Sequence, residues 1–97
     1  MSLAIAHETS RSRFVAVVEG QECVIDYHLS GSTMTITHTI VPASLGGRGI
    51  AGELTKFALE SARTRGWKVL AECSYAEAYL NKHAEYADLR ACALGKL

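Results

Sequence analysis

The stretch "HTIVPASLGGRGIAGEL", residues 38–54, decides how this chain folds. It leaves a run of alternating side chains, passes Pro42 and a cluster of three glycines (Gly46, Gly47 and Gly49), and enters a segment with helical spacing. Most helices begin with Ser, Thr, Asp or Asn, whose side-chain oxygen accepts a hydrogen bond from a first-turn amide. No such residue stands directly before this helix, so its first amides are free to meet water or a ligand.

Two interpretations of the glycine cluster are open. In the first, the free amides and the positive end of the helix dipole hold an anion such as a phosphate, and Arg48 adds a charge-assisted contact. In the second, the glycines only build a loop between a strand and a helix. Gly52 supports the first, because a glycine inside a helical turn costs about 1 kcal/mol relative to alanine and indicates close packing. The pattern matches neither a P-loop nor a dinucleotide-binding fingerprint.

Upstream of the glycines, three short runs predict an antiparallel meander. They are "FVAVV" (14–18), "CVIDYHL" (23–29) and "TMTITHTIV" (33–41). The third run alternates strictly, which predicts that its apolar side chains and one histidine share a face and that four threonines share the other. The predicted apolar face carries Met34, Ile36, His38 and Ile40.

Downstream, the apolar period changes to that of a helix that begins at Ile50 and ends near Arg65, just before Gly66. Its predicted buried stripe is Ile50, Leu54, Phe57, Ala58, Ser61 and Ala62. Residues 67–73 then predict a fourth strand, parallel to the third because a helical crossover connects them. A second, shorter helix with a broken end follows. The predicted fold is α/β (α+β), with a mixed, mostly antiparallel sheet of four or five strands, one long helix and one shorter helix.

Length and composition limit the classes of function. The 97 residues, 48% of them hydrophobic, suit one domain over residues 1–97. Ten basic and ten acidic residues balance, which argues against nucleic acid or an anionic membrane as a partner. Cys23, Cys73 and Cys92 show no C-x-x-C spacing, so neither a disulfide framework nor a metal site is expected. No apolar run is long enough to cross a bilayer, and we expect a cytoplasmic protein.

Several segments together resemble a known family. The span "VPASLGGRGIAGELTKFALESARTRGWKV" (41–69) is similar to the strand, pyrophosphate loop and helix of the GNAT acetyltransferase superfamily, whose loop pattern [QR]-x-x-G-x-[GA] falls on Gly46, Gly49 and Ala51. With "HTIVP", "CSYAEAY" and "KHAEYADL" in the same order, the chain resembles the small family of minimal, single-domain GNAT-type acetyltransferases over about residues 13–90. Gly46 stands where that family usually has a basic residue.

The resemblance implies that acetyl-CoA is the co-substrate and that no metal takes part. The pyrophosphate would lie on the amides of Gly47 to Ala51, and the pantetheine would lie where the third and fourth strands splay apart. The implied coenzyme-binding residues are Ile40, Val41, Gly46, Gly47, Arg48, Gly49, Ile50 and Ala51. The thioester would then point toward Cys73 and His38.

Three side chains are candidates for catalysis. Cys73 ends a strand directly before a helix, where a thiol pKa falls; it either accepts the acetyl group or is a small buried filler. His38 is either a core histidine or a neutral base that takes a proton from an amine. Tyr79, or less well Tyr75, could protonate the departing CoA thiolate.

We therefore expect an acetyl-CoA-dependent N-acetyltransferase that moves an acetyl group to an amine, directly with His38 as base or through Cys73. The acceptor is an amine-bearing small molecule or a protein or peptide, and an oligomer is compatible with so small a chain. The alternatives are a non-catalytic module that binds CoA or acyl-CoA as a sensor, and an interaction domain that binds no CoA.

Overall fold

A five-stranded sheet forms the body of the protein. The computed structural model describes residues 4–90. The strands lie in chain order, the first four antiparallel to one another and the fifth parallel to the fourth. Their bounds are β1 Ile5–Glu8, β2 Arg13–Val18, β3 Gln21–Ser30, β4 Thr33–Ile40 and β5 Lys68–Ala71. The mixed, mostly antiparallel sheet is confirmed, and β1 adds a strand that the sequence did not locate.

Two α-helices follow the glycine cluster and β5 respectively. Helix α1 spans Ile50–Arg65 and α2 spans Ser74–Lys82. The predicted end of α1 is confirmed: Gly66 has a φ of 74°, and its amide bonds to the carbonyls of Ala62 and Arg63. Three short 3-10 helices cover Thr9–Arg11, Ala43–Leu45 and Ala84–Leu89, and the last is the broken end expected after α2.

Both helices pack on the same face of the sheet and share one core. Sheet residues such as Phe14, Ile25 and Met34 belong to the same buried cluster as Leu54 of α1 and Leu80 of α2. The predicted stripe of α1 is wrong at two positions, because Phe57 is 38% exposed and Ser61 is only half-buried. Thr55 and Leu59 are fully buried instead. The reason is that α1 packs against α2 and the last 3-10 helix as well as the sheet, so its buried surface is rotated.

The pairing of β3 with β4 contains a bulge that reverses the expected faces of β4. Tyr27 lies opposite Ile36, but Asp26 lies opposite His38, so Thr37 is an extra residue on β4. Because side chains alternate along each strand, His38 turns to the face away from the helices and Thr39 turns toward them. The expectation of one apolar face through His38 and Ile40 is therefore wrong. His38 is exposed, and Ile40 is 51% exposed.

Strands β4 and β5 separate soon after they meet. Their pairing runs from Thr33 opposite Lys68 to Ile36 opposite Ala71. The amides of Glu72 and Cys73 then both donate to the carbonyl of Ile36, at 2.9 and 3.2 Å. The half of β4 beyond the bulge thus has no pairing with β5, and Cys73 lies just past the strand rather than within it.

Candidate functional site

The glycine cluster builds a loop whose backbone most other residues would not adopt. Gly47 has a φ of 81° and Gly49 a φ of 76°, both in the left-handed region. Gly49 is the N-cap of α1 and provides no side-chain hydrogen bond. The first helical amide with a carbonyl partner is that of Glu53, which donates to the carbonyl of Gly49 at 3.0 Å. The N-terminus of α1 is uncapped, as the sequence predicts.

Beside this loop lies a cavity of about 300 Å³. Its wall consists of the segment that follows β4, the glycine loop, the first turn of α1 and one residue of α2. The lining residues are Val41, Pro42, Ala43, Leu45, Gly46, Gly47, Gly49, Ile50, Ala51 and Tyr75. The helix dipole and the free first-turn amides favour an anion in this cavity.

Six of the eight predicted coenzyme-binding residues line the cavity, and two do not. Ile40 lies on the face of the sheet away from the helices. The side chain of Arg48 is absent from the wall because its Nη1 donates to Glu19 Oε2 at 2.6 Å. Pro42, Ala43 and Leu45 were missed as wall residues, since none of them carries a polar group that would have marked it.

The neighbours of Gly52 are two tyrosines of α2, and a Cβ there would make ordinary van der Waals contacts with them. A Cβ at this position would stand 3.4 Å from Tyr75 Oη and 3.9 Å from Tyr79 Cε2. Tyr75, 41% exposed, lines the glycine-loop cavity, whereas Tyr79 lines a smaller neighbouring concavity with Lys82 and stacks on His83 with ring centres 4.0 Å apart. Of the two tyrosines, Tyr75 therefore lies closer to the loop.

Cys73 occupies the N-cap position of α2 and contacts the bulged half of β4. Its Sγ lies 3.3 Å from Thr39 Oγ1, a contact that exists because the bulge turns Thr39 toward the helices. Burial raises the pKa of the Cys73 thiol, but the Thr39 hydroxyl and the nearby backbone amides of Ala76 and Tyr75 favour the thiolate and lower the pKa by more. The net pKa lies below the ordinary value, as expected for a thiol at a helix N-terminus.

Of the other two candidates, His38 lies apart from Cys73. His38 is opposite Asp26 on the other face of the sheet, so the structure does not bring its ring to the Thr39 side. Burial raises the pKa of Tyr79, with nearby Tyr75 and Glu85 adding to it, so its phenol stays protonated at neutral pH. Thr39 was missed because strict alternation had assigned it to the outer face.

The rest of the described surface carries fewer side chains that could take part in a reaction. A concavity of about 230 Å³ at the C-terminal end of α1, lined by Phe57, Glu60, Ser61, Thr64 and Arg65, holds no nucleophile paired with a base. Among residues 4–90 no cluster of His, Cys, Asp and Glu could hold a metal ion. Over the same residues, no helix has the length and apolar character that a membrane span requires. Cys23 is fully buried in the core, and Cys92 lies outside the described residues.

Comparison with known proteins agrees with the site. A family model described as GCN5-related N-acetyl-transferase matches residues 13–89. The solution structure of a GCN5-like N-acetyltransferase candidate from Staphylococcus aureus, solved by NMR, superimposes with a TM-score of 0.74 at 29% identity and covers 93% of this chain and 89% of its own. No curated protein matches the chain. The chain thus belongs to the GCN5-related N-acetyltransferase family, and it is an acetyltransferase.

Proposed function

We propose that the chain binds acetyl-CoA in the glycine-loop cavity and transfers its acetyl group to an amine. The observation that carries the proposal is the uncapped N-terminus of α1 beside a cavity of about 300 Å³. Amides from Gly47 to Ala51 would donate to the diphosphate, whose charge the helix dipole favours. The pantetheine arm would extend past Val41 toward the gap between β4 and β5, which ends at Cys73.

Cys73 is the proposed acetyl acceptor in the first half-reaction. Its thiolate attacks the carbonyl carbon of acetyl-CoA, a new C–S bond forms, and the bond to the CoA sulfur breaks. CoA leaves as a thiolate and takes a proton from Tyr75, which lines the cavity, or from Tyr79. The lowered pKa of Cys73 supports this role, because it raises the thiolate fraction near neutral pH. A reducing compartment such as the cytoplasm would keep the thiol available.

The second half-reaction transfers the acetyl group from Cys73 to the acceptor. A neutral amine attacks the thioester carbon, the amide bond forms, and Cys73 leaves as a thiolate. The proton lost by the amine passes to a base or to water. His38 is exposed on the open face of β4, so it suits an amine that approaches from the side opposite the coenzyme. Within residues 4–90 no helix covers that face, which fits an acceptor as large as a peptide or protein.

Intact-mass spectrometry with peptide mapping tests this route. Incubation with acetyl-CoA alone should add one acetyl group on the peptide that contains Cys73, and a primary amine should then remove it. Cys73→Ala should lose the label and at least about a hundredfold of kcat/KM. Cys23→Ala is the control, since that thiol is buried in the core and should leave labelling unchanged.

Direct transfer is a second candidate, which the exposure of His38 favours. In that case the amine attacks acetyl-CoA itself and His38 accepts its proton. Cys73→Ala would then retain transfer, and His38→Gln would lower kcat. Binding of acetyl-CoA with no acetylated amine and no labelled protein, across a panel of amines and peptides, would contradict both routes and favour a coenzyme-binding module.

A further inference from the structure

The turn between β2 and β3 has an unusual residue at its first central position. Val18 pairs with Gln21, so Glu19 and Gly20 form a two-residue hairpin turn, and their φ angles are 53° and 76°. Turns with two positive φ angles strongly prefer Asn, Asp or Gly at the first central position, because a longer side chain is disfavoured in the left-handed region. The sequence keeps a glutamate there against this preference.

The side chains of this hairpin reach the glycine loop. Glu19 Oε2 accepts a hydrogen bond from Arg48 Nη1 at 2.6 Å, and Gln21 Nε2 donates to Ser44 Oγ at 2.9 Å. Arg48 lies after Gly46 and Gly47, and Ser44 lies before them, so the two contacts hold the loop on both sides of these consecutive glycines. Residues 19 and 48 are far apart in sequence, and only the folded sheet brings them together.

We propose that Glu19 is a positioning residue, which holds the glycine loop through Arg48 in the conformation that presents its amides to the coenzyme diphosphate. The role of binding the diphosphate rests on the function proposed above. Arg48 acts here as an anchor: its guanidinium is on Glu19 and its side chain is not part of the cavity wall. A loop with three glycines has many alternative conformations, and binding to a loop that is already fixed avoids the entropy cost of ordering it.

The ion pair is a local restraint with little effect on the whole fold. The side chains of Arg48 and Glu19 are 48% and 59% exposed, and an exposed pair contributes little to the stability of the protein. Its loss should therefore change the order of the loop and the coenzyme affinity, by about threefold to fivefold, while the fold remains intact.

The first test compares two carboxylates of the same hairpin. Glu19→Gln should raise the KM for acetyl-CoA by about threefold to fivefold with kcat at saturation unchanged, and should speed amide hydrogen exchange at Gly47 and Gly49. Glu22→Gln is the matched control: its side chain is 58% exposed, the change in charge is the same, and its ion-pair partner is Arg13 of β2. The control should leave KM and loop exchange unchanged.

Glu19→Asn separates positioning from general stability. Asparagine suits the left-handed position better than glutamate, so the melting temperature should stay level or rise while the KM for acetyl-CoA rises. A purely structural role for Glu19 predicts that the melting temperature falls. An unchanged KM and unchanged loop exchange in both Glu19 variants would overturn the proposal.

A charge swap distinguishes two roles of Arg48: an anchor for the loop and a direct contact to phosphate. Arg48→Glu alone should weaken binding, and the double variant Glu19→Arg with Arg48→Glu should restore the KM to within about twofold of the wild type, because the pair is rebuilt in reverse. If the double variant binds as weakly as Arg48→Glu, Arg48 itself contacts the diphosphate and the proposal is wrong. Amide hydrogen exchange in the loop is measured without coenzyme, so it tests the anchor even if the wild type does not bind acetyl-CoA. Failure of the wild type to bind acetyl-CoA would overturn the proposed function and not the anchor.

Discussion

The two α-helices within residues 4–90 begin in similar ways, but their N-termini face different groups. Neither N-terminus has a side-chain cap: Gly49 precedes α1 with no side chain, and Cys73 precedes α2. At α1 the free amides face a cavity, whereas at α2 the amides of Tyr75 and Ala76 lie beside the sulfur of Cys73 and favour its thiolate. The same feature, an uncapped helix N-terminus, is open to an external anion in one place and lowers the pKa of the protein's own thiol in the other.

This difference indicates that the residue at the N-cap determines which group the helix dipole stabilises. A glycine at the N-cap leaves space as well as free donors, and space is what a diphosphate needs. A cysteine at the N-cap fills that space, and the anion beside the first-turn amides is then its own thiolate. The two N-termini follow β4 and β5, which pair only as far as Ile36 and Ala71. The chain therefore brings the proposed anion site and the proposed nucleophile to the place where the strands separate.

The largest expected effect comes from a methyl group at the N-cap of α1. Gly49→Ala should weaken acetyl-CoA binding by about tenfold, because alanine disfavours a φ of 76° and shifts the loop amides, and should cost about 1 kcal/mol of stability. Isothermal titration calorimetry and thermal unfolding measure the two effects.

Gly66→Ala is the matched control for that prediction. Gly66 has a φ of 74°, a Cβ there would meet open space as at Gly49, and it lies at the other end of the same helix. It should lose a similar amount of stability and keep its affinity for acetyl-CoA. Equal losses of affinity in the two variants would mean that the glycine loop has no special part in binding.

A smaller effect is expected at the N-terminus of α2. Thr39→Val removes the hydroxyl 3.3 Å from Cys73 Sγ, so the pKa of the thiol should rise and its alkylation rate at neutral pH should fall by about threefold to fivefold. The rate measured against pH should shift its midpoint upward. Thr35→Val, on the outward face of the same strand, should leave the midpoint in place. An unchanged midpoint in Thr39→Val would mean that the Thr39 hydroxyl does not lower the pKa of the Cys73 thiol.

The smallest effect concerns acid stability and lies far from both N-termini. Burial, with a smaller effect from Arg65, lowers the pKa of His7, whose Nε2 is 2.6 Å from Tyr27 Oη. A histidine with a lowered folded-state pKa contributes stability that is present above the unfolded value of 6.5 and is lost as the pH falls through the folded value. Urea unfolding should show lower stability at pH 5 than at pH 7.5.

His7→Gln should flatten that acid dependence by less than about 1 kcal/mol while alkylation of Cys73 keeps its own pH profile. The pair of measurements separates unfolding in acid from titration of the reactive thiol. A stability curve for His7→Gln as steep as that of the wild type would assign the acid sensitivity to other groups.

Local signals in the sequence were sufficient to predict the bounds of α1 and the loop before it. Glycines before Ile50 and the Arg65–Gly66 junction are features that act within a few residues, and the structure places both ends of the helix there. The meander and the parallel fourth strand also followed from short runs and their connections. Strand β1 was missed because its four residues show no clear alternation and it is held by pairing with β2.

Two features of the site needed the three-dimensional structure. The bulge at Thr37 leaves no mark in "TMTITHTI", whose alternation is perfect, since a bulge depends on how one strand pairs with the next. It moved His38 away from the helices and brought Thr39 to Cys73. The position of Arg48 was also hidden, because its partner Glu19 belongs to a hairpin that precedes the loop by many residues.

The most direct measurement is an NMR titration of the isotopically labelled protein with CoA and with acetyl-CoA. We expect saturable shifts of the backbone amide resonances from Gly47 through Ala51, larger than those at the opposite end of α1 near Gly66. Resonances of Gly47 to Ala51 that stay in place up to millimolar coenzyme would contradict this expectation, and the glycines would then be no more than a connection between β4 and α1.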